Sequence, residues 1–261
     1  MAPSLPQLNP ARLRSYLFRL PLFTRVVLTL ILVFWLLAFQ SLWDIVEWGA
    51  LIPLEIDLTT TYRLNTYPLV HANFFHALLG ILSLAPLLER FEAEHGTLLS
   101  VAFFFGPLST LPGALYLLCE RVILRRNASI MGAGVWVFLL LAVESIKTFK
   151  SNPHFTLASY QIPTWTTPLV LTIFTTVLLP NTSFLGHLCG VAVGYLFGLG
   201  YLKFLAPPEK VLRWIEGKLN LLGRLPHYVS VDQKTYGRYG VLPSTTAPAE
   251  AGIPLNFVPP P

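Results

Sequence analysis

The sequence predicts an all-α polytopic membrane protein with six transmembrane helices and both termini in the cytosol. Three observations predict this. Of the 261 residues, 54% are hydrophobic and only 12% are charged, with a mean hydropathy of +0.60; a soluble domain carries about twice that charge. The apolar residues gather in six uncharged stretches, at residues 26–43, 70–88, 97–118, 128–143, 164–179 and 183–202. Each approaches the ~20 residues that cross a ~30 Å hydrocarbon core. Arginines crowd the chain ahead of the first stretch, and basic residues follow the last.

Backbone groups in lipid must be satisfied within their own segment, so the stretches are expected to be helices. Strands of alternating polarity are absent, which argues against a barrel. Residues 1–25 read as a cytosolic segment, because Arg12, Arg14, Arg19 and Arg25 stand there without an acid. The first stretch is long and ends in Trp43-Asp44 with no small-residue cleavage site, so it is expected to remain as an anchor. Residues 26–205 form the membrane domain. An even number of crossings returns the chain to the cytosol, in agreement with Lys203, Lys210, Arg213, Lys218 and Arg224. Arg121, Arg125 and Arg126 run against the rule, on the lumenal side.

Residues 206–225 place Val211, Trp214, Ile215, Leu219 and Leu222 at helical spacing opposite a basic face, the pattern of a helix lying in the membrane interface. Residues 226–261 turn polar and Pro-rich and are expected to be disordered. The net charge of +5 sits on cytosolic flanks rather than in a basic domain with interleaved aromatics, so nucleic acid is not an expected partner. Cys119 and Cys189 make no disulfide framework, and Cys189 reads as an unpaired packing residue. No metal-ligand cluster, phosphate loop or nucleotide fingerprint is present, so no metal and no cofactor are expected.

Ionisable residues inside hydrocarbon are costly and draw attention. His71 and His76 lie in the second stretch and His187 in the sixth. The second, fourth and sixth helices all enter from the lumen, so these histidines and the bare Gly132-Ala133-Gly134 of the fourth share the lumenal half. With a rise of ~1.5 Å per residue, Gly134 is expected about 9 Å and His187 about 6 Å inside their helices, with His76 about one and a half turns in. Convergence at one depth suits a site open to water from one side. Buried, hydrogen-bonded packing histidines are the bland alternative. Gly186, Gly190, Gly194 and Gly198, four apart, let a neighbouring helix approach closely and bring His187 towards the fourth helix.

The segments "HANFFHALLGILSLAPLLERFE", "MGAGVWVF" and "GHLCGVAVGYLFG" together resemble the rhomboid intramembrane serine proteases, and most of all the fungal Golgi-type group. The resemblance covers about residues 10–245. It implies a six-helix bundle in which a serine of a G-x-S motif attacks a peptide bond in or near a substrate's transmembrane helix. It also implies a histidine of the sixth helix as general base and a histidine and asparagine of the second helix at the oxyanion. On that resemblance His187 is the base, His76 the oxyanion-side histidine and His71 the histidine one turn earlier. Gly134 stands in the nucleophile's place, and Gly80 in the asparagine's.

A dyad protease needs an oxygen nucleophile within reach of its base, and glycine has none. Ser129 and Ser109 are not placed like the family's serine. The sequence therefore implies a rhomboid endopeptidase scaffold that is catalytically impaired. The alternative is a pseudoprotease that binds transmembrane clients for trafficking or degradation. A transporter or channel is disfavoured by the lack of an inverted repeat and of acids or lysines within the stretches. The resemblance further implies a Golgi or endoplasmic reticulum membrane. "TYGRYGVL", from Thr235, weakly resembles boxes that dock on the Cdc48-type AAA ATPase. Asn127 and Asn181 head sequons that abut helix starts and are expected to be unmodified.

Overall fold

The structure, a computed structural model, describes residues 10–157, 159–179 and 182–234. The sequon at Asn181 and the segment from Thr235 fall outside them. In chain order the helices are α1 (Pro10–Arg19), α2 (Leu22–Leu37), α3 (Ile45–Gly49), α4 (Arg63–Thr66), α5 (Phe74–His95) and α6 (Thr97–Phe104). They continue with α7 (Pro107–Leu117), α8 (Gly134–Ser151), α9 (Thr167–Leu178), α10 (Phe184–Leu199), α11 (Glu209–Leu219) and α12 (Leu221–Arg224). One hairpin, β1 (His154–Leu157) paired antiparallel with β2 (Tyr160–Pro163), joins α8 to α9.

Every apolar stretch has a helical counterpart. Among the described residues, Phe74–His95 and the run Thr97–Ile123 are long and apolar enough to span a membrane, and a third span is added if α10 and the bent segment after it count as one. Leu22–Leu37 and Thr164–Leu178 are apolar but shorter. The run from Thr97 breaks where Gly106 precedes Pro107, since proline suits the first turn of a new helix.

α8 is the central helix. Its side chains are buried from Val135 through Leu140, and again at Ala142, Val143, Ser145 and Ile146. Trp136 is fully buried, and its indole N–H donates to Ser109 Oγ at 3.0 Å. The Ser109 hydroxyl in turn donates to the Phe104 carbonyl.

The glycines of α10 face α8, as the spacing predicts. A Cβ at Gly190 would stand 2.5 Å from the Val135 carbonyl oxygen, and one at Gly194 would stand 2.2 Å from that of Leu139. At Gly186 it would meet Ile130 at 2.0 Å and at Gly198 Ile146 at 3.1 Å. The two backbones are in contact because nothing separates them.

Several boundaries differ from the sequence reading. The fourth helix starts at Gly134, not residue 128, so Gly134 heads its helix rather than lying 9 Å inside it. Ile130 instead pairs with Leu51 in an isolated antiparallel bridge, and Gly132 adopts φ +104°, which a helix cannot contain. His71 lies before α5, His76 is only its third residue, and His187 is about 4.5 Å rather than 6 Å into α10. The hairpin was not anticipated, because its residues are too few to show a period.

The stretch from residue 226 is not uniformly disordered. Residues 227–234 form a strap against the bundle: the His227 carbonyl accepts from Leu22 N, and the Val229 carbonyl accepts from Thr97 N. Tyr228, Ser230 and Val231 are buried. Beside the strap, Glu92 is fully buried and caps α2, accepting from Phe23 N (2.8 Å), Thr24 N (2.7 Å), Thr24 Oγ1 (2.9 Å) and Thr97 Oγ1 (2.7 Å). It lies beyond the apolar stretch in which acids were judged absent, because α5 runs on for seven residues past Leu88. Beyond α10 the chain turns by 88° into α11, which buries Leu212 and exposes Val211, Trp214 and Leu219.

Candidate active site at the head of α8

Three elements build the site. The segment before α8 is fixed by the Leu51–Ile130 bridge, by Gly132 N donating to the Tyr67 carbonyl at 2.7 Å, and by Ala133 N donating to His71 Nε2 at 3.1 Å. Since Nε2 accepts, the proton of His71 is on Nδ1, which donates to the Leu69 carbonyl at 3.2 Å. Both ring nitrogens of His71 are therefore spent on backbone, and His71 acts as a buried strut.

α5 begins with Asn73, whose side chain accepts from His76 N at 2.9 Å. α10 begins with Ser183, whose hydroxyl accepts from Gly186 N and whose carbonyl accepts from His187 N at 3.0 Å. An Asn and a Ser, each just ahead of an apolar run, are capping signals that were legible in the sequence and went unused there. The caps set the heights of His76 and His187.

The three imidazoles each lie over a glycine. His187 Nε2 stands 2.5 Å from where a Cβ on Gly134 would be, His76 Cε1 and Nε2 both 2.5 Å from one on Gly132, and His71 Nε2 2.9 Å from one on Gly80. The His187 ring also packs on Phe138, one turn down α8 from Gly134, with centroids 4.4 Å apart. Its Nδ1 is buried and has no hydrogen-bond partner among the described residues, so nothing but packing orients the ring. His71 and His76 meet edge to face at 4.9 Å.

The site opens into a cavity of about 560 Å³, bounded by α5, α8 and α9 and reaching His76, Gly80, Gly134 and His187. Its remaining walls are mainly apolar. α9 lies at the edge of the bundle: Val170, Ile173, Phe174 and Val177 are exposed, and only Pro168 and Thr172 of the helix are buried.

Neither alternative serine approaches this geometry. Ser109 is committed to Trp136 and Phe104. Ser129 is exposed and lies ahead of the bridge at Ile130. The Thr182 hydroxyl, at the cavity wall, donates to the Leu179 carbonyl at 2.8 Å. Among the described residues no group of histidine, cysteine or carboxylate side chains could hold a metal ion. Asn127 Oδ1 accepts from Leu54 N at 2.9 Å and ties the loop ahead of the site to the segment between α3 and α4.

Comparison with known proteins bears on this arrangement. The family model described as the rhomboid domain matches residues 58–204, which contain all three histidines and all the glycines they cover. The chain is 62% identical over 258 residues to the rhomboid-type serine protease B of Aspergillus fumigatus, covering 98% of this chain and 94% of that one. It is 61% identical over 253 residues to the rhomboid-type serine protease 2 of Neurospora crassa, covering 96% and 92%. It is 57% identical over 252 residues to the protein of the same name in Gibberella zeae, covering 97% and 94%. With the family's domain matched over more than half its length and relatives of this similarity along nearly all of it, the chain belongs to the rhomboid family of membrane proteins.

Proposed function

We propose that this chain is a rhomboid endopeptidase scaffold that receives transmembrane segments of other membrane proteins and has lost most or all of its capacity to cut them. The observation that carries the reading is the position of His187. Its Nε2 lies 2.5 Å from the point where the first side-chain atom of residue 134 would stand. That distance supports reading His187 as the family's general base, with its ring over the place of the group it would activate. With no hydroxyl at residue 134, a water would have to replace the nucleophile, without the positioning and the covalent intermediate that accelerate acyl transfer. Loss of a nucleophile costs about 10⁶-fold in rate in a serine protease. Gly80 adds to this, because one missing oxyanion donor costs about 10²–10³-fold.

The cavity between α5 and α9 supports a retained binding role. Its lining is mainly apolar, one wall is the peripheral α9, and a client helix entering there reaches Gly134 and His187 without crossing the bundle. That favours the pseudoprotease reading over a scaffold with no role at all. The topology that goes with it has both termini in the cytosol, the site facing the lumen, and residence in the Golgi or endoplasmic reticulum. The Cdc48-type ATPase remains a proposed partner of the tail beyond residue 234.

The test is cleavage of a model transmembrane substrate by the reconstituted protein, as it stands, as Gly134→Ser, and as Gly134→Ser with His187→Ala. The expected result is background cleavage by the unaltered chain, cleavage by Gly134→Ser, and its loss in the double variant. Cleavage by the unaltered chain that His187→Ala abolishes would overturn the impairment and require another nucleophile.

A further inference from the structure

A second cavity, of about 250 Å³, lies away from His71, His76 and His187, where α5, ending in His95, α6 and α10 meet α11 and the strap. One wall is apolar: Phe103 and Phe197 pack edge to face with centroids 5.2 Å apart, and Leu212 of α11 closes it. The mouth is cationic. Lys203 reaches it with no acidic partner among the described residues, its Nζ folded back over Gly200 at the end of α10. Lys234 of the strap also lines it and pairs with Glu209, while Arg213 of α11 is engaged by Asp232. The one acid at the cavity is thus already neutralised, and a cation is left over.

The place matters as much as the lining. The 88° turn from α10 to α11 sets α11 across the end of the bundle with Val211, Trp214 and Leu219 exposed. This is the disposition of a helix in the headgroup layer. The cavity mouth is therefore level with lipid phosphates and its wall level with the upper part of an acyl chain.

We propose that this cavity is a binding site for an anionic phospholipid, with the first carbons of one acyl chain against Phe103, Phe197 and Leu212 and the phosphate at Lys203. A soluble anion would leave the aromatic wall unused, and a zwitterionic lipid, though it brings the same phosphate, would add a quaternary ammonium beside Lys203 and Lys234. At about 250 Å³ the space takes part of one chain and not a whole lipid, so the rest of the lipid stays in the bilayer. This site is independent of whether the histidine site cuts or only binds.

Native mass spectrometry of the full chain in detergent tests it, comparing phosphatidylserine with phosphatidylcholine, alongside thermal shifts with inorganic phosphate. One ammonium near the membrane surface favours an anionic lipid by about fivefold. The unaltered protein is expected to show that preference. Lys203→Glu, the milder Lys203→Met and the cavity-filling Ala206→Trp are expected to lose it, while Lys210→Glu, a charge change on α11 outside the cavity, keeps it. The proposal is overturned if both Lys203 variants retain the preference. It is equally overturned if Lys210→Glu abolishes it, which would make it a property of the whole surface. Stabilisation by inorganic phosphate equal to that by the lipid would also overturn it, as an adventitious ion only.

Discussion

Gly190→Ala is the sharpest test of how packing sets the site. Gly190 lies one turn below His187 on α10, and its Cβ would stand 2.5 Å from the Val135 carbonyl oxygen and 3.4 Å from Leu139 N. Both neighbours are backbone, so no side chain can swing away. To reach an ordinary contact of 3.4 Å the first turn of α8 must retreat by about 0.9 Å. That turn begins with Gly134, so the retreat separates Gly134 from His187. Overpacking of this kind costs about 1–3 kcal/mol. The assay is thermal unfolding in detergent, with Gly217→Ala as the reference. Gly217 lies in α11 with nothing within 4 Å of its Cβ position, so alanine there should be neutral or stabilising by up to about 1 kcal/mol. In the Gly134→Ser background, Gly190→Ala should in addition lower cleavage by about 10²-fold, the usual penalty for a reacting pair displaced by an ångström. Equal stability of Gly190→Ala and Gly217→Ala would refute the claim that backbone contact at this glycine fixes the two helices.

Glu92→Ala removes the acceptor for two backbone amides at the start of α2 and for two hydroxyls; a loss of about 2–4 kcal/mol is expected from denaturation in detergent. Gly132→Ala, at φ +104° and facing His76 at 2.5 Å, should lose about 1–3 kcal/mol and, combined with Gly134→Ser, should cleave less than Gly134→Ser alone. Trp136→Phe gives up the bond to Ser109 while leaving the Ser109–Phe104 bond, and should cost about 1 kcal/mol, read by the same melts. The hydrogen bond and charge of Lys234 hold the Glu209 carboxyl below its ordinary value of 4.5. A carboxyl with a depressed folded-state pKa stabilises above its unfolded value and ceases to do so as the pH falls through the folded one. Protection of residues 227–234 from hydrogen exchange, corrected for intrinsic rates, should therefore weaken below about pH 4.5 in the unaltered chain and change less in Glu209→Gln.

The sequence by itself determined the membrane class, the helices and the pairing of α10 with α8. Those features are written in quantities that neighbouring residues share: runs of apolar residues, a four-residue glycine repeat, histidines five apart. On the resemblance, it also puts a glycine at the position of the family's nucleophile, since the motifs on either side are local. Where helices begin was less legible. Residues 128–133 are as uncharged as those that follow, and the pairing of Ile130 with Leu51 and the positive φ of Gly132 keep them out of α8. Both depend on residues far upstream, Leu51 for the bridge and Tyr67 for the bond that holds Gly132. The same holds for Glu92 and the strap: a carboxylate after an apolar run reads as a solvated end until the strap and α2 arrive to bury it. The tertiary structure alone decided that each histidine ring settles over a glycine. No spacing predicts that contact, because it comes from α5 and α10, set at their heights by their caps, meeting an α8 held by the bridge ahead of it, with backbones that nothing holds apart.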